Sequence, residues 1–327
     1  MNAAELLKVV TAYWSAQAVL TGTRLGLFDV LTDHSRDLRT LARITRCDAR
    51  ALDQLLHALV ALGLVKKRGD RFRLTAQAAP FLSSKSSRNL LPLLQIHHDR
   101  FADWAKLSRV VRRGKPLPAV GLFVKPVART RRFIDAMEAM ARHGARGLVE
   151  AANLSGRRHL LDVGGGSGAY SIALCRAYPS LKATILDLPG TLTFTRKYVR
   201  EAGMLDRISF LAGDYHSLEF RKEYDAILVS HILHSIGPKA CQALLTRLSR
   251  ALRRDGVLLV REFFLDRSRT RSTWPALFSL NMLLWTAEGR TYSWYEVETW
   301  LRRAGLRRFR RASVPLHEGE GLLTATR

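Results

Sequence analysis

The stretch Leu160-Leu161-Asp162-Val163-Gly164-Gly165-Gly166-Ser167-Gly168 limits what this chain can fold into more than any other. An apolar run that meets glycines at alternate positions and continues into Ala169-Tyr170-Ser171-Ile172-Ala173-Leu174 predicts a buried strand turning tightly into a helix. Gly164, Gly166 and Gly168 admit positive φ angles and let the backbone pass close to a bound molecule, where a Cβ would obstruct it. A glycine-rich turn with no ligand is the plainer alternative, and the downstream sequence bears on the choice.

Lys182-Ala183-Thr184-Ile185-Leu186-Asp187 is a second strand pattern ending in an acid, 25 residues after Asp162. A carboxylate there is placed to accept both hydroxyls of a ribose, and it would also cap a helix opening at Leu188-Pro189-Gly190. The spacing Asp-x-Gly-x-Gly-x-Gly differs from the dinucleotide fingerprint and from the phosphate-binding loop that ends in Lys-Ser/Thr. It resembles the first motif of class I S-adenosylmethionine (SAM)-dependent methyltransferases, and the resemblance implies SAM as the cofactor.

From Arg158 onward strand and helix patterns alternate. Strands are expected at about 159–163, 182–187, 207–211, 224–229 and 256–262, helices at about 168–178, 190–203 and 238–252, and a terminal hairpin from Leu306–Val314 and Leu322–Thr326. Such alternation predicts an α/β fold with a parallel sheet covered on both faces, its ligands beyond the carboxyl ends of the strands. Three strand ends therefore matter: Gly213-Asp214-Tyr215, Ser230 to His234, and Glu262.

The first part of the chain reads differently. Helical spacing of Leu6, Leu7, Val10, Tyr13, Trp14, Ala18 and Val19 leads into two short helices, the second capped at Asp48 and closed by Gly63, and then a hairpin turning at Arg68-Gly69-Asp70. This is a winged-helix plan. It would bind DNA through Arg50, His57 and the basic wing, or serve as a subunit interface. Beyond the polar linker Ser83 to Ser87, helical patterns run from Leu90 to Val111 and from Thr130 to Asn153, separated by the Gly/Pro-bearing stretch 114–126.

Taken whole, the chain resembles the plant-type and acetylserotonin-type (hydroxyindole) O-methyltransferases, as a bacterial-like small-molecule member. The resemblance implies a winged-helix dimerisation domain at 1–83, a helical connecting layer over the active site at 84–153, and a Rossmann-like seven-stranded class I methyltransferase domain at 154–327. It implies a homodimer. Carried over residue by residue, Asp162, Gly164, Gly166 and Ser230 would line the SAM site, Asp187 would take the ribose, and Leu188 would pack on the adenine. Gly213 and Asp214 match the family's Gly-Asp pair, whose acid meets the adenine amino group with Tyr215 near the ring.

The most specific part is Leu228-Val229-Ser230-His231-Ile232-Leu233-His234. In the family a histidine follows the fourth strand, usually within His-Asp-Trp, and acts as general base on the acceptor hydroxyl. His234 falls there, followed by Ser235-Ile236 in place of Asp-Trp. A phenol with a pKa near 10 is mostly neutral at pH 7, so an imidazole that removes its proton raises its reactivity. Glu262, at the end of the neighbouring strand, would orient that imidazole. The family's second glutamate sits in a Gly-x-Glu-Arg-Thr stretch, where this chain has Ala287-Glu288-Gly289-Arg290-Thr291. His231 and Asn281 are expected to contact the acceptor. His231 and His234 make a His-x-x-His without a third ligand close by, and no metal is expected.

Composition sets bounds. At 327 residues with 47% hydrophobic residues the chain can bury a sizeable core in two domains. No apolar run reaches the roughly 18 residues of a membrane span and the N-terminus lacks signal-peptide features, so a cytoplasmic protein is expected. The three cysteines have no metal or redox spacing. The net charge of +25 is dispersed in arginine pairs, which disfavours nucleic acid as a partner without excluding it. The expected function is methyl transfer from SAM to a hydroxyl of a small aromatic secondary metabolite. The alternatives are a winged-helix nucleic-acid-binding protein with a SAM-binding core, or transfer to carbon or nitrogen on the same scaffold.

Overall fold

The structure, a computed structural model, describes residues 1–118, 127–221, 223–314 and 316–327. The Gly/Pro-bearing stretch noted above thus lies in part, at 119–126, outside the described residues. The chain divides into two units, Met1–Ala102 and Asp103–Arg327.

In the first unit, α1 (Ala3–Arg24) begins at Asn2, whose side chain accepts from Glu5 N at 2.9 Å while the Glu5 carboxylate accepts from Asn2 N at 2.8 Å, a reciprocal capping box. After α2 (Leu27–Val30) and the short β1 (Arg36–Asp37), α3 (Leu38–Thr45) is capped by Asp37 and α4 (Ala49–Ala61) by Asp48. The hairpin β2 (Val65–Arg68) and β3 (Arg71–Leu74) follows, with Lys67 opposite Phe72. β1 adds a third strand to this wing by pairing Arg36 with Phe72, and two residues are too few to leave a periodic signal. Leu27, Phe28, Leu41, Leu52, Leu56, Leu59 and Phe72 make the core. The unit ends with α5 (Ala79–Leu82) and most of α6 (Leu91–Trp104). The helix expected from Leu90 to Val111 is broken after α6, where Lys106 N donates to the Asp103 carbonyl in a turn at 3.0 Å.

The second unit opens with α7 (Leu107–Arg113) and α8 (Val127–Ala152). It continues through β4 (His159–Val163), α9 (Ala169–Ala177), β5 (Lys182–Asp187), α10 (Pro189–Glu201), β6 (Ile208–Ala212) and β7 (Tyr224–Ser230). A 3-10 turn at Leu233–Ser235 precedes α11 (Pro238–Ala251), β8 (Leu252–Leu265) and α12 (Thr273–Trp285). The chain then forms β9 (Tyr292–Ser293), α13 (Trp294–Arg303), β10 (Arg308–Ser313) and β11 (Glu320–Thr326).

Among the described residues the large sheet runs β10-β11-β8-β7-β4-β5-β6, with β9 added to β8. The links from β8 to β6 are parallel, and β11 is antiparallel to both of its neighbours. The expected seven-stranded sheet is there. Its strands read as continuous apolar runs because both faces are covered: Leu160, Ile185 and Leu228 pack in one core cluster, and Leu161, Val163, Ile227 and Val229 in the other. From β4 the chain goes to β5 on one side and later to β7 on the other, so a crevice opens beyond the carboxyl end of β4.

Several arginines lie over aromatic rings rather than forming a tract: Arg196 over Phe210, Arg247 over Phe220, Arg302 over Phe309 and Arg311 over Trp294, at 4.3 to 5.6 Å from the ring centroids. Among the described residues no helix is long and apolar enough to cross a membrane.

Candidate active site

The crevice is built by the glycine turn. Gly164, Gly166 and Gly168 have φ of 63°, 57° and 82°. Each glycine has its own reason. A Cβ on Gly164 would stand 2.5 Å from Ile232 Cδ1 and one on Gly168 2.8 Å from Ile185 Cδ1, whereas one on Gly166 would enter open space. Gly166 therefore faces open space just before the N-terminus of α9, where unpaired backbone N–H groups favour negative charge.

Asp187 ends β5 beside this turn. Its Oδ2 accepts from Gly166 N at 2.9 Å and its Oδ1 from Leu188 N at 2.8 Å, which leaves lone pairs on both oxygens. Burial raises its pKa, against the hydrogen bonds from Gly166 and Leu188. Leu188 keeps 36% of its surface exposed. Gly213 N donates to the Asp187 carbonyl at 3.1 Å, which draws the loop after β6 alongside. In that loop Asp214 is exposed and accepts from His216 N, and Tyr215 is half-buried, its carbonyl held by Arg247.

Asp162, read above as lining the SAM site, lies beneath the turn with 1% of its surface exposed. Its Oδ2 accepts from Ser171 Oγ at 2.7 Å, its Oδ1 has no partner, and burial raises its pKa to about 6. It is packed under Gly165, where a Cβ would stand 2.8 Å from Asp162 Cγ. Alternation along β4 sets that position, and its first task is to brace the turn.

A second cluster forms where β7 and β8 end. His234 Nδ1 lies 2.8 Å from Glu262 Oε2, and His234 N donates to Oε1 at 3.3 Å. Burial opposes charge on Glu262, yet His234 and His231 hold its carboxyl well below the usual carboxylate range. An ionised Glu262 fixes the proton of His234 on Nδ1 and leaves Nε2 as an acceptor. Phe278 meets the His234 ring edge-on at 5.0 Å and packs on Phe263 at 4.7 Å, while Trp274 stacks on His317 at 4.4 Å. This aromatic wall was not legible, because its members come from β8, α12 and the loop before β11.

His231, expected to touch the acceptor, is engaged inward: Nε2 is 3.0 Å from Glu320 Oε1 and Nδ1 is 3.6 Å from Glu262 Oε2. The pair His231 and His234, read above as lacking a third donor, has one in Glu262, and the three donor atoms lie within 4.8 Å of one another. They are spent on one another, and the neighbouring guanidinium of Arg261 opposes a further cation. Ser230 Oγ lies 3.5 Å from Arg261 Nη1. Asn281 Oδ1 accepts from Trp285 Nε1 at 3.3 Å. Glu288 is exposed against Gly237. Gly289 is explained by crowding, since a Cβ there would stand 2.5 Å from the His234 carbonyl oxygen.

The residues present fit SAM. The cradle at Gly166 that a Cβ would fill, two carboxylate oxygens of Asp187 with lone pairs to spare, an exposed Leu188 and the orphan Oδ1 of Asp162 suit a ligand with a ribose, a flat base and a cationic end.

Residues 111–307 match the O-methyltransferase domain family and residues 7–84 the O-methyltransferase dimerisation domain. The 3-hydroxy-5-methyl-1-naphthoate 3-O-methyltransferase of Streptomyces sahachiroi is 32% identical over 306 residues, 92% of this chain and 88% of its own length. The tetracenomycin polyketide synthesis 8-O-methyl transferase of Streptomyces glaucescens is 30% identical, over 95% of this chain and 93% of its own. The crystal structure of human N-acetylserotonin methyltransferase in complex with SAM matches with a TM-score of 0.89 at 25% identity, covering 100% of this chain and 98% of that one. Fold and site together define a class I SAM-dependent methyltransferase. More particularly, the chain belongs to the O-methyltransferase family, with that family's dimerisation domain at its N-terminal end. It is a SAM-dependent O-methyltransferase, and the relatives do not favour the nucleic-acid-binding alternative.

Proposed function

We propose that this O-methyltransferase acts on a hydroxyl of a small, flat aromatic secondary metabolite, with His234 as general base and Glu262 as its orienting partner, as a cytoplasmic homodimer. The observation that carries the reading is the 2.8 Å contact of His234 Nδ1 with the ionised Glu262, beside the rings of Phe263 and Phe278. Gly164, Gly166, Asp187, Leu188, Gly213, Asp214 and Tyr215 would hold SAM, with Asp162 bracing the turn and Ser230 lining the strand end. SAM, when bound, supplies an electrophilic methyl group. The chain's own residues orient the acceptor against the aromatic wall, with Asn281 near it, keep water away, and take the hydroxyl proton at His234 Nε2. The two Streptomyces relatives, named for a hydroxynaphthoate and for a polyketide, support an aromatic acceptor.

Mass spectrometry of products after incubation with SAM and panels of naphthols, hydroxynaphthoates, phenolic polyketides and hydroxyindoles tests this. A mass gain of one methyl on a phenolic oxygen is expected. Methyl gain on carbon or nitrogen alone, across all panels, would overturn it.

The dimer has a specific candidate surface. Leu6, Leu7, Val10, Tyr13 and Trp14 on α1 are each more than half exposed, a contiguous apolar patch of the kind that marks an interface. Trp14→Glu combined with Leu7→Glu should convert a dimer into a monomer by light scattering, since buried carboxylates without partners are costly. A wild-type monomer at all working concentrations would refute the assignment.

A further inference from the structure

Arg261 has no exposed surface, and such a burial is tolerated only with partners. Its guanidinium pairs with the Glu320 carboxylate at the start of β11, bonds to the Tyr170 hydroxyl, and lies 4.5 Å from the centroid of the Tyr170 ring. Gly144 on α8 makes the room, because a Cβ there would collide with Arg261 Nη2. Glu320 carries the contact onward to His231 Nε2 at 3.0 Å, and His231 Nδ1 stands 3.6 Å from the same Glu262 oxygen that pairs with His234. A continuous line of alternating charge thus runs from Arg261 to the dyad.

We propose that Arg261, Glu320 and His231 are positioning residues for the base, an outer set that shares Glu262 with His234 and thereby governs how His234 takes up the acceptor proton. The proposal rests on the reading of His234 as base. Burial and the Arg261 charge push the His231 pKa down, but hydrogen bonds to Glu262 and Glu320 push it further up, and the balance lies above the ordinary value. An imidazolium whose ring centre is 5.8 Å from that of His234 opposes arrival of a second proton there, and it also competes for Glu262 Oε2. The other ionisable neighbours are His317, which burial holds below its ordinary value, and Tyr170 and Asp162 behind Arg261, both of which burial keeps neutral to higher pH.

Two variants test it. Glu320→Gln removes the charge that favours protonated His231. His231→Asn leaves the Arg261–Glu320 pair intact, and asparagine tolerates the left-handed backbone that His231 adopts at φ 55°. In each, the rising limb of the kcat pH profile should move up by on the order of one pH unit, costing roughly tenfold in kcat on the limb, with SAM affinity by calorimetry unchanged. Glu320→Asp should restore part of the shift, and the double variant should move the limb no further than either single one. A limb that stays in place in folded His231→Asn would overturn the relay, whatever Glu320→Gln does to stability. Failure of the base reading looks different: the wild type would have no such limb, or His234→Gln would keep full activity.

Discussion

Replacing His234 by glutamine should lower kcat at pH 7 by roughly 10²–10⁴-fold, the usual worth of a general base, while SAM affinity stays within about twofold. Glutamine retains an amide that can donate to Glu262, so the buried carboxylate keeps a partner, but it has no basic nitrogen to receive a proton. Because the imidazole belongs to the cluster at the ends of β7 and β8 and not to the glycine turn, the loss should fall on turnover and not on cofactor binding. The pH profile is the sharper measurement. Wild-type activity should rise through the titration of an imidazole and level off; the variant should lose that limb and respond only to ionisation of a phenol near pH 10. Glu262→Gln should act in the same direction but less strongly, since it removes the group that fixes the tautomer and leaves the base itself. Full activity of His234→Gln at neutral pH would mean that the acceptor needs no base.

What could be read in the sequence follows from how local each requirement is. The turn from Gly164 to Gly168 must take positive φ angles within a few residues, and only glycine does so freely, so the ligand site announces itself. The strands of the sheet are buried on both faces, which leaves apolar runs that end where the ligand sits. His234 and Glu262 could be paired from sequence because one follows a strand and the other lies near the end of its parallel neighbour; β8 runs on to Leu265, past the end expected at 262, and the register of Ser230 opposite Arg261 sets the two side by side. Glu320 and Arg261 could not be added in this way. His231 and Glu320 are 89 residues apart, and their meeting depends on the antiparallel register that places Glu320 opposite Phe263 and Gly321 opposite Glu262. Neither strand's sequence states that register. The same holds for the wall of Phe263, Phe278, Trp274 and His317, and for Gly289, whose bareness makes sense only once the His234 carbonyl is seen against it. Asp162 shows what a motif position leaves unsaid: the sequence does not tell that the side chain lies under the turn, with one oxygen held by Ser171 and the other without a partner.

Asp187→Ala should weaken SAM binding by about 1–3 kcal/mol, or roughly 5- to 150-fold in Kd, and leave kcat at saturating SAM within a few-fold. The carboxylate has two tasks on the ligand side of β5. It holds Gly166 N and Leu188 N, which shapes the turn and presents Leu188, and its remaining lone pairs are the acceptors proposed for the ribose hydroxyls. Alanine removes both, leaving two backbone N–H groups and the hydroxyls to find water. Asp187→Asn should be milder, because its amide oxygen still accepts from one of the N–H groups while its NH₂ faces the other. Affinity should also depend on pH with a definite sign. Burial raises the Asp187 pKa, so the ionised, accepting form is complete only above that raised value. As pH falls through it, the carboxyl protonates, one oxygen becomes a donor, and Kd for SAM should rise at a higher pH than an ordinary aspartate would impose. Asp187→Asn cannot titrate and should show no such dependence from this position. Calorimetry of SAM and S-adenosylhomocysteine from neutral pH down to the onset of unfolding measures both effects; equal affinities for wild type and Asp187→Ala would remove Asp187 from the cofactor site.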